Sequence, residues 1–155
     1  MIMKRILLLF VFATWSLFLF WFGWTVKAPV IVEIPPPYKL RADVLWETVN
    51  DWKVSQKTKP YVLNDSLCEI ADKRLRETSV DWSHNKFYDV TDEIYKKTDE
   101  FTGLGENLAR NFQTETSVLT GWLNSPGHRR NLEANYTDSC IATDGIHVVK
   151  FFGKK

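Results

Sequence analysis

Cysteine and histidine are scarce in this chain, and neither sign of charge is in excess. Two cysteines in 155 residues exclude a disulfide-dense mini-protein and a four-cysteine zinc site. Lys and Arg number 20 against 19 Asp and Glu, a balance that excludes a basic, nucleic-acid-binding protein. With 45% apolar and 25% charged residues the chain is not a disordered tail either. No internal repeat or low-complexity segment occurs. Neither a G-x-S-x-G elbow nor an H-E-x-x-H helix is present, so no serine or cysteine nucleophile has a recognisable activating context. The length suits one domain of ordinary size, with too little left for a second.

The even charge hides an asymmetry. Residues 1–28 carry Lys4, Arg5 and Lys27 and no acid, which leaves 17 basic against 19 acidic residues in the remainder. From Ile6 to Val26 runs a stretch of 21 uncharged, apolar residues. As a helix it spans about 30 Å, the thickness of a bilayer's hydrocarbon core. The basic pair ahead of it keeps residues 1–5 in the cytoplasm and sends the rest across the membrane, with Trp21 and Trp24 at the outer interface. The competing reading is a cleaved signal peptide. The run is longer than a typical h-region and no small-x-small site ends it, so residues 6–26 read as an uncleaved, single-pass signal anchor. Residues 27–39, with Pro35, Pro36 and Pro37, read as an extended spacer that lifts a domain at 40–155 off the membrane. The domain is then extracytoplasmic, either periplasmic or extracellular.

Within the domain, Leu45, Val49 and Trp52 recur at helical spacing and predict a helix over about Asp43–Gln56. Ser66 with Glu69 forms a capping-box pattern ahead of Leu67, Ile70, Ala71 and Leu75. A third helix runs from about Thr114 to Asn124, with Val118, Leu119, Trp122 and Leu123 inward. Ser125-Pro126 then starts a short helix over Gly127–Glu133. Cys140–Thr143 and Ile146–Phe152 read as strands joined by an Asp144-Gly145 turn. Asn85–Thr102 shows no clear period and reads as a long loop. Helices and at least two strands in one modest domain define a mixed α/β layered architecture. Trp46, Trp52, Trp82 and Trp122 read as core.

The histidines His84, His128 and His147 are the whole complement. Two lie in turn-rich contexts, Trp82–Phe87 and Ser125–Leu132, with Gly103–Arg110 (GLGENLAR) between them. His147 sits in a predicted strand and reads as a strand-face residue. The order Ser83-His84, then Gly105-Glu106-Asn107-Leu108-Ala109, then Gly121–Leu132 (GWLNSPGHRRNL), then a strand ending in Phe-Phe-Gly, resembles the CAP superfamily. That superfamily comprises cysteine-rich secretory proteins, antigen 5 and pathogenesis-related proteins, and the compact bacterial-type form is the better match. The resemblance covers about Asp43–Gly153. It implies a three-layer α-β-α sandwich with a solvent-exposed cleft, here behind one N-terminal transmembrane helix. In the larger family two histidines and two acids line that cleft, and some members bind zinc or another divalent ion there. By motif, His84 and His128 match the histidines and Glu106 one acid. The second acid is absent, with Ser125 near its place, which puts the full tetrad in doubt.

Two imidazoles and a carboxylate supply three ligands of a zinc site with water in the fourth position. The cleft candidates are therefore His84, Glu106, His128, Asn107 and Ser125, with His84, His128 and Glu106 as candidate metal ligands. His128 falls near the start of the short helix, where the positive end of the dipole disfavours imidazolium and leaves the neutral form that a metal or a general base requires. The alternative is structural: Glu106 accepts backbone N–H groups and the histidines tie loops to the helical layer. Arg129 and Arg130 mark the rim of the cleft or a solvated helix face. Cys68 and Cys140 are either a disulfide, which an oxidising compartment favours, or two buried thiols. Three functions stand open. The first is a binding module for a metal, a small molecule or a cell-envelope component, and the missing acid favours it. The second is a hydrolase that activates water through the His/Glu set. The third is a lipid or sterol carrier, which rests on the resemblance alone.

Overall fold

The computed structural model describes residues 38–78 and 80–155. The expected anchor and nearly all of the proline-rich spacer lie outside them. Among the described residues no helix is long and apolar enough to cross a membrane.

The described chain forms α1 (Ala42–Ser55), β1 (Val62–Leu63), α2 (Asp65–Thr78), α3 (Phe87–Lys97), β2 (Gly103–Arg110), α4 (Glu115–Asn124), α5 (Pro126–Glu133), β3 (Asp138–Thr143) and β4 (His147–Lys154). The four strands make one sheet in the order β1-β3-β4-β2. Only the short β1–β3 pairing is parallel. Against β4, β3 runs antiparallel from Asp138↔Gly153 to Thr143↔Val148, and β2 from Gly103↔Lys154 to Arg110↔His147.

Helices cover both faces, as the sandwich requires. On one face Leu45 and Val49 of α1, Val118, Leu119 and Trp122 of α4 and Leu132 of α5 bury Ile141, Val148 and Phe152. On the other, Leu67, Ile70 and Ala71 of α2 and Val90 and Ile94 of α3 bury Cys140, Ala142, Val149 and Phe151. Alternate residues of β3 and β4 thus feed different cores, which follows from the two-residue period of a strand. Cys68 of α2 is joined to Cys140 of β3, with Cα atoms 5.0 Å apart. Of the two readings open for these cysteines, the structure adopts the disulfide.

Several predicted elements shift. Helix α2 starts at Asp65, and its cap is Asn64, whose Oδ1 accepts from the Leu67 N–H at 3.2 Å. The Ser66 pattern therefore lies too deep in the helix to cap it. The Thr114 cap of α4 forms as a reciprocal capping box with Ser117. At the α5 junction Ser125 is the N-cap and Pro126 opens the helix, but the Ser125 side chain makes no cap bond. The stretch expected to be a loop contains α3, because Phe87, Val90, Thr91 and Ile94 recur at helical spacing. A threonine at one inward position and a run of acids on the outward ones mask the stripe. Gly103–Arg110, which the sequence does not mark as a strand, is one. Both of its faces are covered, so it shows no polar alternation, and Gly, Glu and Asn are weak strand formers.

Candidate functional site

Strand β2 is an edge strand, and three of its outward carbonyls are each met by a side chain. Tyr136 Oη donates to the Leu104 carbonyl at 3.1 Å, Asn131 Nδ2 to Glu106 at 3.0 Å and Trp122 Nε1 to Leu108 at 3.0 Å. These contacts draw α4, α5 and the segment after them over the open edge and satisfy backbone acceptors that have no strand partner there. The residues between face the neighbouring strand. Gly105 has no room for a side chain, because a Cβ would stand 2.8 Å from Tyr136 Oη.

Across this edge the candidate residues converge. Glu106 points toward α2, where Arg74 Nε donates to Oε2 at 2.8 Å and Arg74 Nη2 reaches Oε1 at 3.3 Å. Both side chains are 1% exposed. Arg74 also donates to the Ser83 carbonyl at 2.9 Å and to Glu77 at 3.1 Å. His84, next in the chain after Ser83, places Nδ1 2.8 Å from Glu106 Oε1. A carboxylate only accepts, so His84 carries its proton on Nδ1 and presents Nε2. The His84 side chain is 54% exposed. The His128 ring lies 5.9 Å from it, centroid to centroid. Burial first, then His84, pushes the His128 imidazole below its ordinary value, against an upward pull from Glu106. His128 is the third residue of α5, so the helix start works in the same direction.

The structure brings His84, Glu106 and His128 together and assigns the other candidates different work. Asn107 is fully buried. Its Nδ2 donates to the His128 carbonyl at 3.0 Å and its Oδ1 accepts from Asn131 at 2.9 Å, so it fixes the start of α5 from behind and does not face the cleft. Ser125 serves the α4–α5 junction. His147 holds Asp144 through Nδ1 at 2.9 Å and lies 5.3 Å from the Trp82 ring, in keeping with a strand-face role. Arg129 pairs with Glu133 on the exposed side of α5.

Both oxygens of Glu106 are engaged, by Arg74 and by His84, and among the described residues no group of three His, Cys, Asp or Glu is arranged to hold an ion. Two imidazoles remain, with the carboxylate as the group that orients one of them. Arg74 is the residue that sequence reasoning missed. Its only trace there is a charged residue on the apolar face of α2, one turn beyond Ile70.

An α-β-α sandwich with an imidazole pair across its sheet edge defines the class, a cysteine-rich secretory protein domain. The family profile described as "CAP: Cysteine-rich secretory protein family" matches residues 46–142, and the chain belongs to that family. It is 27% identical over 120 residues to protein YkwD of Bacillus subtilis, covering 70% of this chain and 45% of that one. It is 31% identical over 71 residues to the membrane protein YlbC of the same organism, covering 45% and 20%. The chain thus spans less than half the length of either relative. Among solved structures, a cysteine-rich secretory protein of Staphylococcus aureus superposes with TM-score 0.65 at 20% identity, covering 74% of this chain and 38% of that one. An outer surface protein of Borrelia burgdorferi gives 0.64 at 22%, covering 73% and 91%. An extracellular SCP-domain protein of Bacillus anthracis gives 0.65 at 20%, covering 74% and 40%. These likenesses show a common fold.

Proposed function

We propose that this chain is a membrane-tethered, extracytoplasmic binding module whose ligand is held at the His84–His128 pair. One observation carries the reading: an exposed imidazole is oriented by a buried ion pair, with a second imidazole 5.9 Å away. A buried Arg–Glu pair is costly to desolvate, and here it locks the tautomer of a solvent-facing ring. The groove beside His84 encloses about 230 Å³. The extracellular and outer-surface relatives, and the one called a membrane protein, support the location. Residues 6–26 would supply the tether.

The test uses the full chain in detergent micelles, with side-chain imidazole signals followed during titration with zinc chloride, a soluble muropeptide and a short-chain phospholipid. One of these probes is expected to move His84 and His128 together and leave His147 in place. Three flat titrations would sink the reading. A divalent ion, as the ligand, is held by the two imidazoles, with Glu106 behind His84.

A second reading is hydrolysis, and the His84 tautomer favours it. With the proton on Nδ1 directed at Glu106, Nε2 is free to take a proton from water, which is the arrangement of an oriented general base. Ester, peptide and peptidoglycan substrates, assayed beside His84→Ala and Glu106→Gln, decide it. Turnover equal in all three proteins removes this reading.

A further inference from the structure

Phe87 and Tyr88 give the groove beside His84 an aromatic part to its lining. His84, Phe87, Tyr88, Leu104, Glu106 and Asn131 line it together with Gly105. Tyr88 is 74% exposed, an unusual exposure for a large aromatic at the mouth of a cleft, and Tyr95 is 44% exposed. The two are seven residues apart on α3, close to two helical turns, so they share a face about 10 Å apart along the axis. Val90 and Ile94 occupy the buried face of the same helix. Tyr88 at the groove and Tyr95 beyond it therefore set two phenol rings in a row along α3.

The charges at this surface narrow the chemistry of what it takes. A hard cation, which takes oxygen ligands, finds no free carboxylate in the groove, because both oxygens of Glu106 are engaged. An anion finds no Lys or Arg among the residues that line the groove. A lipid chain needs an enclosed apolar cavity, whereas His84, Glu106 and Asn131 put polar groups into this open groove. A ring-shaped, uncharged, hydroxyl-rich ligand meets all three conditions. It stacks its apolar faces on tyrosines and directs hydroxyl groups to an imidazole nitrogen.

We propose that the His84 groove and the Tyr88–Tyr95 face of α3 together bind a neutral glycan strand of linked pyranose rings, with a sugar hydroxyl donating to His84 Nε2. This rests on the cleft reading above and gives that site its ligand class. The axial separation of the two tyrosines corresponds to one disaccharide.

The experiment is saturation-transfer NMR and calorimetry on the full chain in detergent micelles. The probes are a β-1,4-linked N-acetylglucosamine tetramer and a β-1,4-linked glucose tetramer, which separate amino-sugar from plain hexose sources. Saturable binding of at least one is expected, weakened about tenfold by Tyr88→Ala or Tyr95→Ala and within about twofold of the parent in Tyr88→Phe. Both tyrosines are exposed, so the variants leave the core intact, and unchanged thermal midpoints verify this. No saturable binding of either tetramer, or binding indifferent to both alanine variants, overturns the glycan assignment. In that case the imidazole titration above still decides the cleft on its own. Tyrosine-dependent binding that ignores His84→Ala overturns the part of the assignment that joins the groove to α3, and the cleft is again decided by the imidazole titration.

Discussion

A guanidinium and a carboxylate that are each 1% exposed, Arg74 and Glu106, have lost their hydration and depend on each other. Breaking such a pair strands a buried charge at a cost of about 3–5 kcal/mol, whereas removing both members with apolar replacements is often neutral. Arg74→Met and Glu106→Leu are therefore each expected to destabilise by about that amount, and the double variant by less than either single one. Urea unfolding of the four proteins gives the coupling, and a double variant as costly as the sum would show two independent sites. The same pair explains what could be read of the site in advance. His84, Glu106 and His128 are legible because their chemistry stands in short motifs. Arg74 is not, since an arginine among the apolar positions of an amphipathic helix reads as a solvated residue until its partner on a strand is known. The candidate metal set is read with the same limit: a motif names the carboxylate and says nothing of the guanidinium that pairs with it.

At the scale of elements, the edge of β2 is the feature on which the cleft is built. Residues 104, 106 and 108 turn their carbonyls outward and residues 105, 107 and 109 turn theirs to β4, as the alternation of an antiparallel pair demands. Asn131→Ala removes the donor to Glu106 and to Asn107 together, leaving acceptors without partners at about 1–3 kcal/mol. Tyr136→Phe keeps the ring and loses only the bond to Leu104, for about 1 kcal/mol. Amide exchange at Gly105, Asn107 and Ala109 is expected to quicken more in Asn131→Ala than in Tyr136→Phe. Equal protection in both would mean that the edge is held by β4 alone. The helices α1, α4 and α5 are legible in the sequence because their apolar spacing, the Thr114 cap and Pro126 agree with one another. Strand β2 and helix α3 are not, because burial on both faces removes alternation from one and a threonine interrupts the stripe of the other.

For the molecule as a whole, the three-layer order follows from strands that feed two cores, and the Cys68–Cys140 bridge ties α2 to the sheet. Closing a loop of 72 residues contributes about 4 kcal/mol on the chain-entropy model. The same layering traps a lysine. In the β4 run Val148-Val149-Lys150-Phe151-Phe152 a lysine reads as the solvent-facing position of a one-sided strand, but with helices on both faces Lys150 is fully buried. Its ammonium meets the Ser139 hydroxyl and the rings of Tyr61, Phe152 and Trp46, at 4.4, 4.9 and 5.1 Å. Burial, then the nearby Lys53, holds the amine well below the ordinary lysine value. A depressed value means that the unfolded chain binds the extra proton. The contribution of Lys150 is thus complete above its unfolded value near 10.5 and is lost as pH falls toward the folded one. Stability is expected to rise with alkalinity in that window, by up to about 1.4 kcal/mol per pH unit from this group. Lys53, also lowered by burial, adds in the same direction. Replacing Lys150 alone would strand the Ser139 hydroxyl, so the clean comparison is Lys150→Met with Ser139→Ala. That protein is expected to be more stable than the parent at neutral pH and to show a shallower rise as pH climbs toward 10.5. Parallel pH profiles for parent and variant would mean that the lysine stays charged inside the fold.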